Sequence, residues 1–375
     1  MRFDFDAPVE RDGTWSMRWA RYAGRDVIPL WVADTDFRSP PAVLEALAAR
    51  VQHGVFGYTV PPDELRDAIA DRMLRRYGWR VDPAWIAFLP GVVPALHLAA
   101  RRLTRPGEHA IVPTPVYHHF KRAVELAPRP HSDLPLVLER GRWVFDLDAL
   151  RHAMTPATRL FYLCNPQNPG GTVFRRDELL RLAELTQDCV IVSDEIHCDL
   201  VLEPGARHVP IASLSPEISR RTVTLMSASK AFNFPAAGCA WAIVEDARLR
   251  DALTEDVRAH VLPSPPVFGY VATLAALREG EAWLAAQIDY LRGNRDLVAA
   301  SLPLPMARVA ATYLAWIDCS GVAGDANDLF LRNGVALSPG SQFGAPRFVR
   351  LNFGTQRARL QEALRRMAGA LGPAG

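Results

Sequence analysis

Three short stretches of the chain end in residues that could work together on one small molecule. The first is SASKAFNFPAAG, where Ser227, Ser229 and Lys230 directly follow the apolar run RTVTLM. A lysine at the end of a strand can form an imine with an aldehyde cofactor, and neighbouring hydroxyls can hold that cofactor's phosphate. The bland alternative is a surface lysine in a serine-rich turn. The choice of lysine is narrow: of 43 basic residues all but Lys121 and Lys230 are arginine.

The second stretch, CVIVSDEIHCDL, is an apolar run that ends in Asp194, Glu195 and His197. Open parallel sheets bind ligands at the carboxyl ends of their strands. An ionised Asp194 placed there can keep a pyridine nitrogen protonated, which turns such a ring into an electron sink for a carbanion. Alternatively Asp194 is a helix cap and His197 a structural histidine. The third stretch, RLFYLC, runs into NPQNPGG at residues 165–171. Its prolines and glycines demand a tight loop, and the Asn168 amide can donate to a phenolic oxygen.

Motifs at strand ends need a sheet to present them. From about residue 40 to 265 helical periodicity, as in PAVLEALAARVQ and DELRDAIADRMLRRYG, alternates with the short apolar runs RLFYLC, CVIVSDE, RTVTLMS and CAWAIV. That alternation predicts an α/β fold with helices covering a mainly parallel sheet. A Pro-rich break, LPSPPVFGY, precedes a long helical stretch from about Glu281 to Ala300, and then TYLAWIDC, another helix, FVRLNFG and a terminal helix. The expected organisation is a large domain over 41–265 and a small α+β domain over 266–375. Residues 1–40, with few helix signals, are expected to pack on the small domain or on a partner subunit.

The bulk properties agree with such an enzyme. At 375 residues the chain exceeds what one core supports, and 49% hydrophobic with 22% charged residues is ordinary for a globular protein. A net charge of +2 implies no nucleic-acid partner. Five widely spaced cysteines in apolar runs read as reduced thiols of a cytoplasmic protein, and no window approaches a membrane span or an export signal. Neither HExxH nor CxxC spacing occurs, so no metal is expected.

The order NPxNPxG, then SDE, then SxSK resembles the fold-type I pyridoxal 5'-phosphate (PLP) enzymes of the aspartate aminotransferase superfamily (class I/II), over nearly the whole chain. The resemblance implies a PLP-dependent transferase-like fold with a seven-stranded type of large-domain sheet. It implies that Lys230 is the Schiff-base lysine, Asp194 the partner of the pyridine nitrogen, and Asn168 the donor to the ring 3′ oxygen. Gly91, Val92 and Val93 in PGVVPAL match the loop that offers backbone N–H groups to the phosphate, a sound anion site where a helix begins. Tyr117 in PTPVYHHF matches the aromatic that stacks on the ring. Tyr58 in HGVFGYT matches a tyrosine that reaches the neighbouring subunit's phosphate, which implies a homodimer with shared active sites. Arg350 in FVRLNFG matches the arginine whose fork binds the α-carboxylate of an amino-acid substrate.

The words RDGTWSMRW, PLWVADTDF, HGVFGYT, GVVPAL, SDEIHCDLV, TYLAWIDC and PGSQFG are similar to one subgroup, the MalY/PatB-type cystathionine β-lyases. His197 stands where aminotransferases usually carry tyrosine. The subgroup implies α,β-elimination from an L-cysteine S-conjugate such as L-cystathionine, giving thiol, pyruvate and ammonia. The alternatives are an aminotransferase, a biosynthetic variant that eliminates from or decarboxylates a larger S-conjugated amino acid, and a regulator that binds a partner protein on the same fold. The chain departs from the pattern at Thr35, where methionine is common, at Gly238, where many superfamily members have a phosphate-binding arginine, and at the adjacent His118 and His119.

Overall fold

The computed structural model describes residues 3–372. Its strands, in chain order, are β1 (Ile28–Pro29), β2 (Ile86–Leu89), β3 (His109–Thr114), β4 (His131–Glu139), β5 (Arg142–Phe145), β6 (Thr158–Cys164), β7 (Val190–Asp194), β8 (Thr222–Met226), β9 (Ala240–Ile243), β10 (Leu314–Asp318), β11 (Val335–Ala336), β12 (Ser338–Pro339) and β13 (Phe348–Asn352). Eight of them form one sheet in the order β2-β9-β8-β7-β6-β3-β4-β5. The five from β8 to β4 run parallel, and β9 and β5 are antiparallel to their neighbours. This is the expected α/β class with one strand more than the seven anticipated. The addition is β5, folded back on β4 through Arg140 (φ 50°) and Gly141 (φ 79°), two left-handed residues that suit a two-residue hairpin.

The central strands are apolar on both faces because helices cover both. Leu160, Tyr162, Val192 and Val223 pack into a cluster with the helix Val92–Arg102, while Phe161, Leu163 and Ile191 join a second cluster with the helix Arg176–Leu185. Helices end where their chemistry ends them. The helix Asp63–Tyr77 carries Asp63 and Glu64 in its first turn and Arg75 and Arg76 in its last, complementing its dipole. Gly78, at φ 64°, then turns its N–H back to the Leu74 carbonyl at 3.0 Å.

Strand register brings the motifs together. Cys164 at the end of β6 lies opposite Asp194 at the end of β7, which lies opposite Leu225 in β8. Loop 165–171, Asp194 and the 227–230 turn therefore leave the same edge of the sheet. A separate three-stranded sheet, β10-β13-β12, pairs Arg350 with Trp316 on one side and Ser338 on the other. The strand β1 runs parallel to β11, and the Leu30 carbonyl accepts from Asn352 N at 2.9 Å. That path leads the segment 31–36 from the second sheet toward the edge of the first.

The break in LPSPPVFGY ends earlier than its residues suggest. VFGY opens a helix of its own, Val267–Glu279, before the long helix Glu281–Ser301. Its apolar residues surround it without forming a stripe, and it packs against the helix Pro41–His53 in the largest core cluster. No helix among the described residues is long and apolar enough to cross a membrane.

Candidate active site

Between the carboxyl edge of the large sheet and β13 lies a cavity of about 470 Å³, lined by Lys230, Asp194, Asn168, Tyr117, His197, Arg350, Val92 and Val93 among others. Its volume falls within the range of small-molecule sites. Lys230 Nζ donates to the Ala33 carbonyl at 2.6 Å. Burial pulls the Lys230 amine down to about 8, with Asp34 and Asp194 partly restoring it and Arg350 opposing them. Burial likewise pushes the Asp194 carboxyl up to about 7, against the Ile196 N–H that donates to it at 3.0 Å and the nearby lysine.

Arg350 is 4% exposed, and among the described residues no carboxylate pairs with it. Its guanidinium donates to Asn168 Oδ1 at 3.0 Å, to the Trp31 carbonyl at 2.9 Å and to Ser338 Oγ at 3.3 Å, and it rests 4.6 Å over the Phe343 ring. Nε has no partner, and burial lowers the group to about 10. A buried cation held only by neutral groups is costly, and an anionic ligand relieves that cost.

Two further features fit a ring with a phosphate. Gly91 caps the helix Val92–Arg102, so the free N–H groups of the first turn stand at the cavity beside Val92 and Val93. Tyr117 follows β3 by three residues, and its N–H donates to the Asn168 carbonyl at 3.1 Å, which ties the aromatic to the amide loop. His197 Nδ1 is buried without a partner, and burial, with Lys230 and Arg350 adding to it, pulls the imidazole down to about 3. It is therefore a neutral donor or acceptor at physiological pH.

Not every expected residue lines the cavity. Ser227 and Ser229 are buried beside it, and Ser227 Oγ lies 2.6 Å from the Cys239 carbonyl and 2.9 Å from Ser229 Oγ, so the Ser227 hydroxyl is engaged within the turn behind Lys230. Tyr58 is fully exposed, in a segment that also exposes Val55, Phe56 and Val60. In the other direction, Trp31 and Ala33 use only backbone carbonyls on Arg350 and Lys230, a role that side-chain identity does not advertise. This wall is built from residues of PLWVADTDF and PGSQFG, the latter contributing Gln342 and Phe343.

A family model for aminotransferase class I and II matches residues 25–367. Cystathionine beta-lyase PatB of Bacillus subtilis is 37% identical over 98% of this chain and 100% of its own. Among solved structures, that of a protein called OvoB is 45% identical with a TM-score of 0.95, covering 100% of both chains. The PLP-bound C-S lyase of Staphylococcus hominis is 30% identical with a TM-score of 0.91, covering 99% of both.

Proposed function

The chain belongs to the aminotransferase class I and II family, and from that premise we propose that it is a PLP-dependent carbon–sulfur β-lyase acting on an L-cysteine S-conjugate such as L-cystathionine. The observation that carries this reading is the convergence of Lys230, Asp194, Asn168 and Arg350 on one cavity from four separate segments. Unsatisfied cationic and imidazole groups in that cavity suit a phosphorylated, phenolic pyridine and an amino acid beside it.

PLP, when bound, supplies an electron sink for charge developing at the substrate Cα. Asp194 would face the ring nitrogen; made more basic by burial, its carboxylate is a strong acceptor that would hold a proton there. Because Asn168 Oδ1 takes the Arg350 N–H, its amide NH₂ is left to donate to the ring oxygen. The N–H groups after Gly91 would hold the phosphate, and Tyr117 would supply an aromatic face for the ring. Arg350 binds the substrate carboxylate through its planar fork.

Lys230 then acts as base. Its amine takes the Cα proton, the electron pair of the Cβ–S bond leaves with sulfur as a thiolate, and hydrolysis of the remaining fragment gives pyruvate and ammonia. An amine brought down to about 8 has a substantial neutral fraction near physiological pH, which a surface lysine lacks.

We infer further that residues 41–265 form the cofactor-carrying domain and 266–375 the smaller one, with residues 1–40 packing against the latter. The β1–β11 pairing supports the last of these, while the helix Val267–Glu279 packs on the helix Pro41–His53 of the larger domain. The exposed apolar segment around Tyr58 favours a homodimer in which that tyrosine serves the neighbouring site. Five buried, unbridged cysteines favour the cytoplasm. Incubating the PLP-loaded protein with L-cystathionine and a thiol reagent tests the activity: thiol release with pyruvate supports it, and conversion of the cofactor to its amine form without thiol identifies an aminotransferase.

A further inference from the structure

Lys230 does not simply project into the cavity. Its amine donates to the Ala33 carbonyl at 2.6 Å, and the same oxygen accepts the Tyr313 hydroxyl at 3.0 Å, so both lone pairs are engaged. Tyr313 is fully buried and lies edge-on to His197, 5.9 Å between ring centroids.

The segment that carries this carbonyl is held on every side. Asn233, three residues after Lys230, accepts from Thr35 N at 3.0 Å and donates to the Thr35 and Phe37 carbonyls at 3.1 and 2.6 Å. Asn352 Nδ2 donates to the Asp34 carbonyl at 2.6 Å. The Asp34 carboxylate pairs with Arg11 at 3.0 Å and Arg18 at 3.4 Å. Such an over-determined stretch of irregular backbone positions something, and its one contact with the reactive lysine is Ala33.

We propose that the Ala33 carbonyl is the station that receives the Lys230 amine whenever the lysine is not bonded to the cofactor and that Tyr313 fixes this carbonyl. The proposal deepens the reading of Lys230 as base and rests on it. When the amine's lone pair takes the Cα proton, the C–H electron pair stays with the substrate and the lysine becomes an ammonium with three donors in a buried site. An unpaired buried ammonium is costly. Ala33 O gives it an acceptor at the end of its reach. The ionisable groups around it are Asp34, whose carboxylate is itself paired with Arg11 and Arg18, together with Asp194, Arg350, Tyr313 and His197. A fixed station also confines a four-carbon side chain that would otherwise sample many rotamers, and near-attack geometry is lost with displacements of about 1 Å.

The chain's two lysines make the test direct. Full-length protein labelled with ¹³Cε-lysine and loaded with pyridoxamine 5'-phosphate, whose amine cannot bond the lysine, gives two titrating signals, and Lys121→Arg assigns them. Tyr313→Phe, which keeps the ring, is expected to lower the Lys230 midpoint, to leave Lys121 unmoved and to cut kcat about tenfold at nearly constant KM. A Lys230 titration in Tyr313→Phe identical to wild type, with wild-type kcat, overturns the proposal. The titration does not depend on turnover. Failure of the wild type to release thiol from L-cystathionine would overturn the β-lyase reading while leaving the station to be judged by the midpoints.

Discussion

Arg350 Nη1 donates to Asn168 Oδ1 at 3.0 Å, joining the residue positioned to hold a substrate carboxylate to the one positioned to hold the cofactor's ring oxygen. The contact spans 182 positions of chain and fixes which way the amide faces. Arg350→Ala is therefore expected to do two things. It raises KM for the amino acid about tenfold to a hundredfold, the worth of a charge-assisted hydrogen bond, and it perturbs the cofactor's absorption because Asn168 can rotate. Steady-state kinetics and a spectrum of the same variant check this, and the Arg350→Ala, Asn168→Ala pair should be non-additive by more than about 0.5 kcal/mol.

Asp194→Asn removes the carboxylate that holds a proton on the ring nitrogen. The expected result is a fall in kcat of about 10² or more, with the cofactor still bound through Lys230 and the first-turn N–H groups. Retention of wild-type kcat would take the carboxylate out of the chemistry.

Much of this site was legible because three of its side chains sit where an apolar run stops. Asn168 and Lys230 follow RLFYLC and RTVTLM, Asp194 closes CVIVSD, and parallel register alone carries those ends to one edge. Ala33 and Tyr313 were not legible in the same way. Ala33 contributes only a carbonyl, and Tyr313 reaches it across 280 positions. The helix Val267–Glu279 is apolar around its circumference and so shows no helical stripe in sequence, and the turn into β5, Arg140–Gly141, carries no Asn-Gly or Asp-Gly signature. The serines of SASK drew attention for their hydroxyls, yet Ser227 bonds the Cys239 carbonyl of the adjoining strand connection.

Asp36 predicts a stability effect away from the chemistry. Burial alone would raise its carboxyl, but Arg18 at 3.3 Å, Arg11 at 3.0 Å, Arg359 at 3.3 Å and the Thr355 hydroxyl at 2.7 Å hold it below its ordinary value of 3.8. A depressed folded value means stabilisation that is complete above about pH 4 and lost as the pH falls through the lower, folded value. Asp36→Asn leaves Arg18 buried without its full complement and should cost about 3–5 kcal/mol, seen as a lower Tm at pH 7. The gap between variant and wild type should narrow in acid.

Tyr58 offers a test of shared sites. Sedimentation should give a dimer, and Tyr58→Phe should weaken PLP retention severalfold while leaving the dimer intact, the loss of about one hydrogen bond to a charged group. Mixing Tyr58→Phe with Lys230→Ala subunits should produce hybrid dimers in which one site has both residues intact; a monomer in solution would remove the arrangement altogether.

The most direct measurement is the product ratio from L-cystathionine with the PLP-loaded protein, run beside Lys230→Ala. Pyruvate and thiol formed one for one by the wild type, with the variant down by about 10² to 10⁴ and lacking the lysine-linked absorption band, is the expected result. A keto acid with four or more carbons and no free thiol, or undiminished turnover by Lys230→Ala, would contradict it.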